Sequence, residues 1–229
     1  MTKRKVVVTG AAGKIAGQVL PALRERYELV LLDVRKITRE GVEIPEIQIA
    51  DLVDRNRDTY RHHFAGADAV VHFGFVGSSN HAADYYEPLI LDGQRDFVDP
   101  NERALSDNYY GWAKETYEHL GFVFACGQQP TPATHTAAAQ RATPRQPLQV
   151  VQIRIGGPRE DDLDRIELGD LRRMRRALAV YISERDMQQL FVKSIEVEEI
   201  RDAQGVPFQI FYGISANSQA FWSIVNARK

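Results

Sequence analysis

The stretch Val6 to Gly17, VVVTGAAGKIAG, constrains the fold of this chain more than any other. Three β-branched residues in a row predict a short strand buried on both faces. Gly10, Ala11, Ala12 and Gly13 then force a tight turn, and from Lys14 onward Ile15, Val19, Leu20 and Leu23 recur at helical spacing. Strand, glycine turn and helix in that order aim backbone N–H groups and the positive end of a helix dipole at one spot, which suits a pyrophosphate. Gly10 is expected to permit the turn, Gly13 to admit the phosphates, and Ala16 with Gly17 to let helix and strand pack closely. The alternative is a glycine turn in some other α/β domain. Pro21 lacks the N–H of an internal hydrogen bond and is expected to kink the helix.

Tyr27 to Asp33 predicts a second buried strand that ends in a carboxylate. Asp33 stands twenty residues after Gly13, where a dinucleotide fold carries the acid that accepts hydrogen bonds from the adenosine ribose. An acidic turn residue is the alternative. The same charge repels a 2′-phosphate and so favours NAD over NADP, with Arg35 and Lys36 nearby acting the other way.

Further along, Glu46–Leu52 alternates as a third strand ending in Asp51-Leu52, and helical spacing resumes through Tyr60, His63 and Phe64. Ala69–Phe75 predicts a fourth buried strand, with His72 in the core rather than in catalysis. Strands alternating with helices predict an α/β fold, a Rossmann-like doubly wound parallel sheet. Ala82–Asn108 has no sustained period and is expected to be a loop, whereas Tyr109–Leu120 has helical spacing. Gly127–Pro147, rich in Gln, Pro, Thr and Ala, is expected to be a mobile insert. Leu148–Ile155 is another strand, closed by Gly156-Gly157-Pro158. Ser183-Glu184-Arg185-Asp186 fits a capping box opening a helix through Met187, Leu190, Phe191 and Ile195, and Val206–Ser215 is a last strand. Arg172, Arg173, Arg175 and Arg176 either hold a phosphate or form a solvated helix face, and the face is favoured.

Composition closes off other classes of function. At 229 residues, 44% apolar and 26% charged, the chain is expected to form a single domain with a substantial core. A net charge of -2 gives no basic footprint for nucleic acid. Cys126 is the only cysteine, which excludes a disulfide framework, and no Cys/His/Asp grouping has metal-ligand spacing. No run is long enough to span a membrane or to form a signal-peptide core, so a cytoplasmic protein is expected.

Tyr110 and Lys114 are four residues apart and share a helix face. A phenol with a cation beside it can act as a general base toward an alcohol, because the cation favours the phenolate. An upstream hydroxyl, Ser79, would hydrogen-bond the reacting oxygen and hold it in line. Hydride then leaves the carbinol carbon for the C4 atom of a nicotinamide.

With these residues in order, the chain resembles the extended short-chain dehydrogenases/reductases, and within them the uronate dehydrogenases. The segments that carry the likeness are His72-Phe73-Gly74, Ser78-Ser79-Asn80-His81, Tyr109-Tyr110-Gly111, Ile153-Arg154-Ile155-Gly156 and Tyr212-Gly213-Ile214-Ser215. The resemblance implies Tyr110, Lys114 and Ser79 as catalytic residues. It places NAD on Gly10, Gly13, Lys14, Ile15, Asp33, Asp51, Leu52, Phe73, Gly74, Tyr110 and Lys114. Ser79, Asn80, His81 and Arg154 are implied to bind the sugar, with the planar Arg154 fork suited to a carboxylate. His81 as an ordinary loop residue, and Arg154 as an anchor for the acidic run Glu160-Asp161-Asp162, are the alternatives.

The resemblance implies NAD-dependent oxidation of a hexuronate at C1 to an aldarolactone, with substrate-binding elements mainly in residues 155–229. A homo-oligomer is a further expectation. A glucose 6-phosphate dehydrogenase, a nucleotide-sugar epimerase or dehydratase, and a catalytically silent NAD-binding regulator are the alternatives. The family places a helix and a strand between the His-Phe-Gly strand and the Ser-Asn-His segment, but here only Phe75-Val76-Gly77 intervenes. Phe75 also stands where the family has a small polar residue, and the chain ends soon after Trp222. A shortened sheet is therefore expected, and whether it leaves apolar surface for a partner to cover stays open.

Overall fold

The computed structural model describes residues 3–75, 86–106, 108–127, 147–158 and 164–228. In chain order the elements are β1 (Lys5–Thr9), α1 (Lys14–Arg26), β2 (Glu28–Asp33), β3 (Gln48–Ile49), β4 (Ala69–His72), α2 (Tyr86–Leu91), α3 (Tyr109–Cys126), β5 (Val150–Ile155), α4 (Leu171–Val180), α5 (Glu184–Glu196) and β6 (Phe208–Gly213). The chain divides into two compact units, residues 1–77 with 184–196, and residues 78–183 with 197–229.

The first unit is built on a parallel sheet in the order β3-β2-β1-β4. Parallel neighbours require crossovers, and α1 supplies the one from β1 to β2. Chain progression runs one way from β1 to β2 and β3 and the other way to β4, so the sheet has a switch point beside β1. Val6, Val7 and Val8 are each fully buried, which at about 1.5–3 kcal/mol per side chain makes β1 the centre of the unit. Ala16, Val19, Leu20 and Leu23 form the buried face of α1, with Ile15 only half-buried. Pro21 lies exposed inside α1, which runs unbroken to Arg26. α5 joins this unit from far along the chain. Its Gln188 amide donates to the Gln18 carbonyl at 2.7 Å, and the Tyr27 hydroxyl donates to Glu196 at 3.2 Å.

Three elements differ from their sequence patterns. β3 contains only Gln48 and Ile49, both exposed. The residues expected to be helical around Tyr60 form 3-10 turns at Arg57–Thr59 and Arg61–Phe64, because Asp54 and Asn56 side chains take the Asn56 and Asp58 amides and compete with a longer helix. β4 is not a buried strand. It edges the described sheet, with Val71 buried but Val70 51% exposed, and His72 is exposed rather than in the core.

The second unit contains the parallel pair β5-β6, in register from Val150↔Phe208 to Ile155↔Gly213. Two strands alone are marginal in water, and α3 covers them. Its Phe122 meets Phe208 edge-on at 5.5 Å, and a Cβ on Gly121 would come within 2.6 Å of Gln152 Nε2. A core of Ile90, Val98, Ala179, Val180, Tyr212 and Phe221 brings α2, α4 and β6 together. α2 falls within the stretch expected to be a loop; burial of Ile90 and Val98 there supplies what its weak periodicity does not show. α3 runs six residues beyond its expected end at Leu120. No helix among the described residues is long and apolar enough to cross a membrane.

Candidate functional site

The carboxyl end of the first unit's sheet carries the predicted cofactor residues. Gly10 has φ +71°, a left-handed conformation that favours glycine, and a Cβ there would lie 2.6 Å from the Gly74 nitrogen. The Phe73 amide donates to the Thr9 carbonyl at 2.9 Å, so Phe73-Gly74 closes over the turn. The Gly13 amide donates to the Gly10 carbonyl at 3.0 Å, and Gly13 is the N-cap of α1. No side chain caps α1, and its first turn holds no acid. The first N–H groups and the positive end of the helix dipole therefore remain available to an anion. The small position that packs closely is Ala16, fully buried; Gly17 faces open space, so its missing side chain serves no contact.

Asp33, at the end of β2, is joined to this loop. Its Oδ2 accepts from the Ala12 amide at 2.9 Å and its Oδ1 from the Arg35 amide at 3.3 Å. The remaining lone pairs of a half-buried carboxylate can take ribose hydroxyls. Asp51 follows β3 at the same edge, exposed, with Oδ1 accepting from the Val53 amide at 3.0 Å. Leu52 is half-buried, Ile15 likewise, and Lys14 is exposed. Thr9 Oγ1 and His72 Nδ1 are 2.6 Å apart, a link between the ends of β1 and β4 that the sequence pattern does not suggest. An open helix N-terminus, a glycine whose Cβ would collide with the facing backbone, and an acid one strand away together fit an adenine dinucleotide.

In the second unit the Asn108 side chain caps α3 by accepting from the Gly111 amide at 3.1 Å. Ser106 packs so tightly that a Cβ on Gly111 would lie 2.1 Å from it. This fixes the first turn of α3, where half-buried Tyr110 and Lys114 follow one another, with Lys114 Nζ 5.5 Å from the Tyr110 ring centroid. That is cation–π distance. Burial pushes the Tyr110 phenol above its usual value and the Lys114 ammonium below its own. Loss of water is the cause at both groups, and it acts against the depression of the phenol expected from Lys114.

Arg154 on β5 has a partner that the sequence reading does not include. Its Nε and Nη2 donate to the two carboxylate oxygens of Glu118 at 2.7 and 2.8 Å, and Nη1 donates to the Tyr212 hydroxyl at 3.2 Å. Tyr212 in turn stacks on Trp222, centroids 4.9 Å apart. Burial alone would lower the Arg154 pKa, but the Glu118 carboxylate outweighs it and holds the guanidinium charged. The fork assigned to a substrate carboxylate is thus engaged by a carboxylate of the chain itself. Glu118 falls four residues after Lys114 on the same face of α3, which is the one signal that could have singled it out.

Ser79, Asn80 and His81 lie outside the described residues, as do Glu160, Asp161 and Asp162. Arg172 pairs with Asp92 and Arg176 with Glu87, around an open cavity of about 320 Å³ between α2 and α4.

No protein-family model matches the chain. It is 24% identical over 269 aligned residues to the NAD-dependent glucose-6-phosphate dehydrogenase of Haloferax volcanii, covering 97% of this chain and 89% of that protein. Its structure is similar to that of glucuronic acid dehydrogenase from Chromohalobacter salexigens, with a TM-score of 0.67 and 19% identity over 98% of this chain and 81% of that one. Uronate dehydrogenase from Agrobacterium tumefaciens superposes with a TM-score of 0.65 and 19% identity, covering 100% and 83% of the two chains. The chain has the Rossmann-like α/β fold of these dehydrogenases.

Proposed function

We propose that this protein is an NAD-dependent oxidoreductase that oxidises a sugar at C1, with a hexuronate as substrate and its aldarolactone as product. The observation that carries this is the uncapped N-terminus of α1 behind Gly10 and Gly13, with the Asp33 carboxylate hydrogen-bonded to the same loop. Gly10, Gly13, Lys14 and Ile15 would hold the pyrophosphate, Asp33 the adenosine ribose, and Asp51, Leu52, Phe73 and Gly74 the rim around them. The bound dinucleotide supplies an acceptor for the hydride that leaves C1. The C1 hydroxyl proton passes to the Tyr110 oxygen, and Lys114 stabilises the phenolate and holds the nicotinamide ribose. Ser79 orients the C1 oxygen, while Asn80 and His81 take neighbouring sugar hydroxyls. Substrate-binding elements beyond these come mainly from residues 155–229.

A sugar phosphate is the second reading. It is favoured by the similarity to the glucose-6-phosphate dehydrogenase of Haloferax volcanii. Purified protein mixed with NAD or NADP and galacturonate, glucuronate or glucose 6-phosphate tests both. NADH formation with a uronate supports the first, and formation with the phosphate alone supports the second. NAD binding without turnover of any sugar excludes both and leaves a silent NAD-binding protein.

A further inference from the structure

Tyr110, Lys114 and Glu118 follow one another at intervals of four along α3, which places them on successive turns of one face. The Glu118 carboxylate is 14% exposed and the Arg154 side chain 20%. A carboxylate in that position has two cations within reach of its face, Lys114 on its own helix and Arg154 on the strand beneath. The structure assigns it to Arg154, bidentately. Arg154 is itself held by the Tyr212 hydroxyl, and Tyr212 by its stack on Trp222. Tyr110, Lys114 and Glu118 on α3, with Arg154 and Tyr212 on the strands beneath, are charged or titratable groups that meet on this face.

The ion pair is not the only contact that holds α3 on the sheet. Gly121 lies against Gln152 and Val150, the Gln152 amide donates to the Tyr117 carbonyl at 3.5 Å, and Phe122 packs on Phe208. A largely buried pair of this kind adds little net stability over an apolar replacement, although removal of one partner leaves an uncompensated charge. We propose that Arg154 is a positioning residue for the base: by neutralising Glu118 it leaves the Lys114 ammonium with Tyr110 rather than drawn one turn along the helix. This rests on Tyr110 being the proton acceptor of the proposed reaction. Without Arg154, the bare carboxylate attracts Lys114 away from the phenol and adds a negative charge on its side, both of which oppose the phenolate.

The test uses the whole chain with Arg154→Met, Glu118→Gln and the double variant. Two readouts are followed: steady-state turnover, and ionisation of the 110 phenol, taken as the difference in tyrosinate absorbance between each protein and its Tyr110→Phe counterpart. Arg154→Met is expected to lose about tenfold in kcat at neutral pH with KM for the sugar nearly unchanged, while KM for NAD rises as Lys114 leaves the nicotinamide ribose. Its phenol is expected to ionise at higher pH. Glu118→Gln is expected to move that ionisation the opposite way, and the double variant to return toward wild type on both readouts. A structural clamp instead predicts the same direction for both single variants and a double variant at least as impaired. That outcome, or an unchanged phenol in Arg154→Met, overturns the proposal. If Arg154→Met does not fold, Arg154→Gln, which keeps a hydrogen-bonding group but no charge, takes its place. If the wild type turns over no sugar, the proposed reaction falls separately and the phenol titration alone decides the role of Arg154.

Discussion

Gly10 and Gly74 pack backbone against backbone: a Cβ on Gly10 would come within 2.6 Å of the Gly74 nitrogen and 2.8 Å of its α-carbon. The contact ties the turn after β1 to the segment after β4 and leaves no room for a side chain between them. Gly10→Ala therefore meets both a left-handed φ and a collision with main chain. A left-handed residue other than glycine costs roughly 1–2 kcal/mol before the collision is counted. Denaturant unfolding is expected to show a loss larger than that, together with loss of NAD binding. Gly17→Ala is the control. It stands in open space inside α1 and is expected to gain about 0.5–1 kcal/mol from helix propensity, with NAD affinity retained.

Asp33 is hydrogen-bonded to the loop and is proposed to hold the ribose, and two substitutions separate these roles. Asp33→Asn keeps an oxygen that can accept from the Ala12 amide. It is expected to fold normally but to bind NAD more weakly and to discriminate less against NADP. Asp33→Ala loses the loop contact as well and is expected to weaken NAD further. Titration calorimetry with both dinucleotides measures this; equal affinities for wild type and Asp33→Asn would remove Asp33 from the ribose.

Tyr110 titrates in the direction set by its burial. With the phenol raised above its usual value, the deprotonated base is scarce at neutral pH, and its population grows as pH rises. The pH profile of kcat/KM, which reports the free enzyme, is expected to climb from neutral into the alkaline range without levelling near neutrality. A plateau at neutral pH would place the base elsewhere.

Tyr27 gives an independent check on packing of the first unit. Burial, reinforced by Glu196, raises its phenol to about 12. A group that binds its proton more tightly when folded stabilises the fold at lower pH and loses that contribution as pH rises. The step is expected between about 10, the unfolded tyrosine value, and about 12, as alkaline loss of stability in denaturant melts. Tyr27→Phe should flatten it.

The residues legible in the sequence are those whose constraints are local. The run Val6–Val8, the turn at Gly10–Gly13 and the start of α1 lie within a dozen residues, where β-branching, a required left-handed φ and helical spacing act directly. Asp33 follows because one crossover fixes its distance from the loop. The partner of Arg154 was not legible, since Glu118 lies 36 residues away and meets it only through the docking of α3 on β5. His72 lies exposed rather than in the core for a related reason. An apolar strand reads as buried, but whether it lies inside a sheet or at its edge depends on strands that no local pattern specifies. The 3-10 turns near Tyr60 arise from Asp54 and Asn56 side chains that compete with the helix the spacing suggests.

The most direct measurement is a single-turnover comparison of wild type and Tyr110→Phe, each saturated with NAD and mixed with a hexuronate, following NADH formation. NAD is expected to bind both proteins, with stoichiometric NADH from the wild type and at least about a hundredfold slower formation from the variant, the lower range for loss of a general base. NADH formed at the same rate by both proteins would contradict the role of Tyr110 as the base.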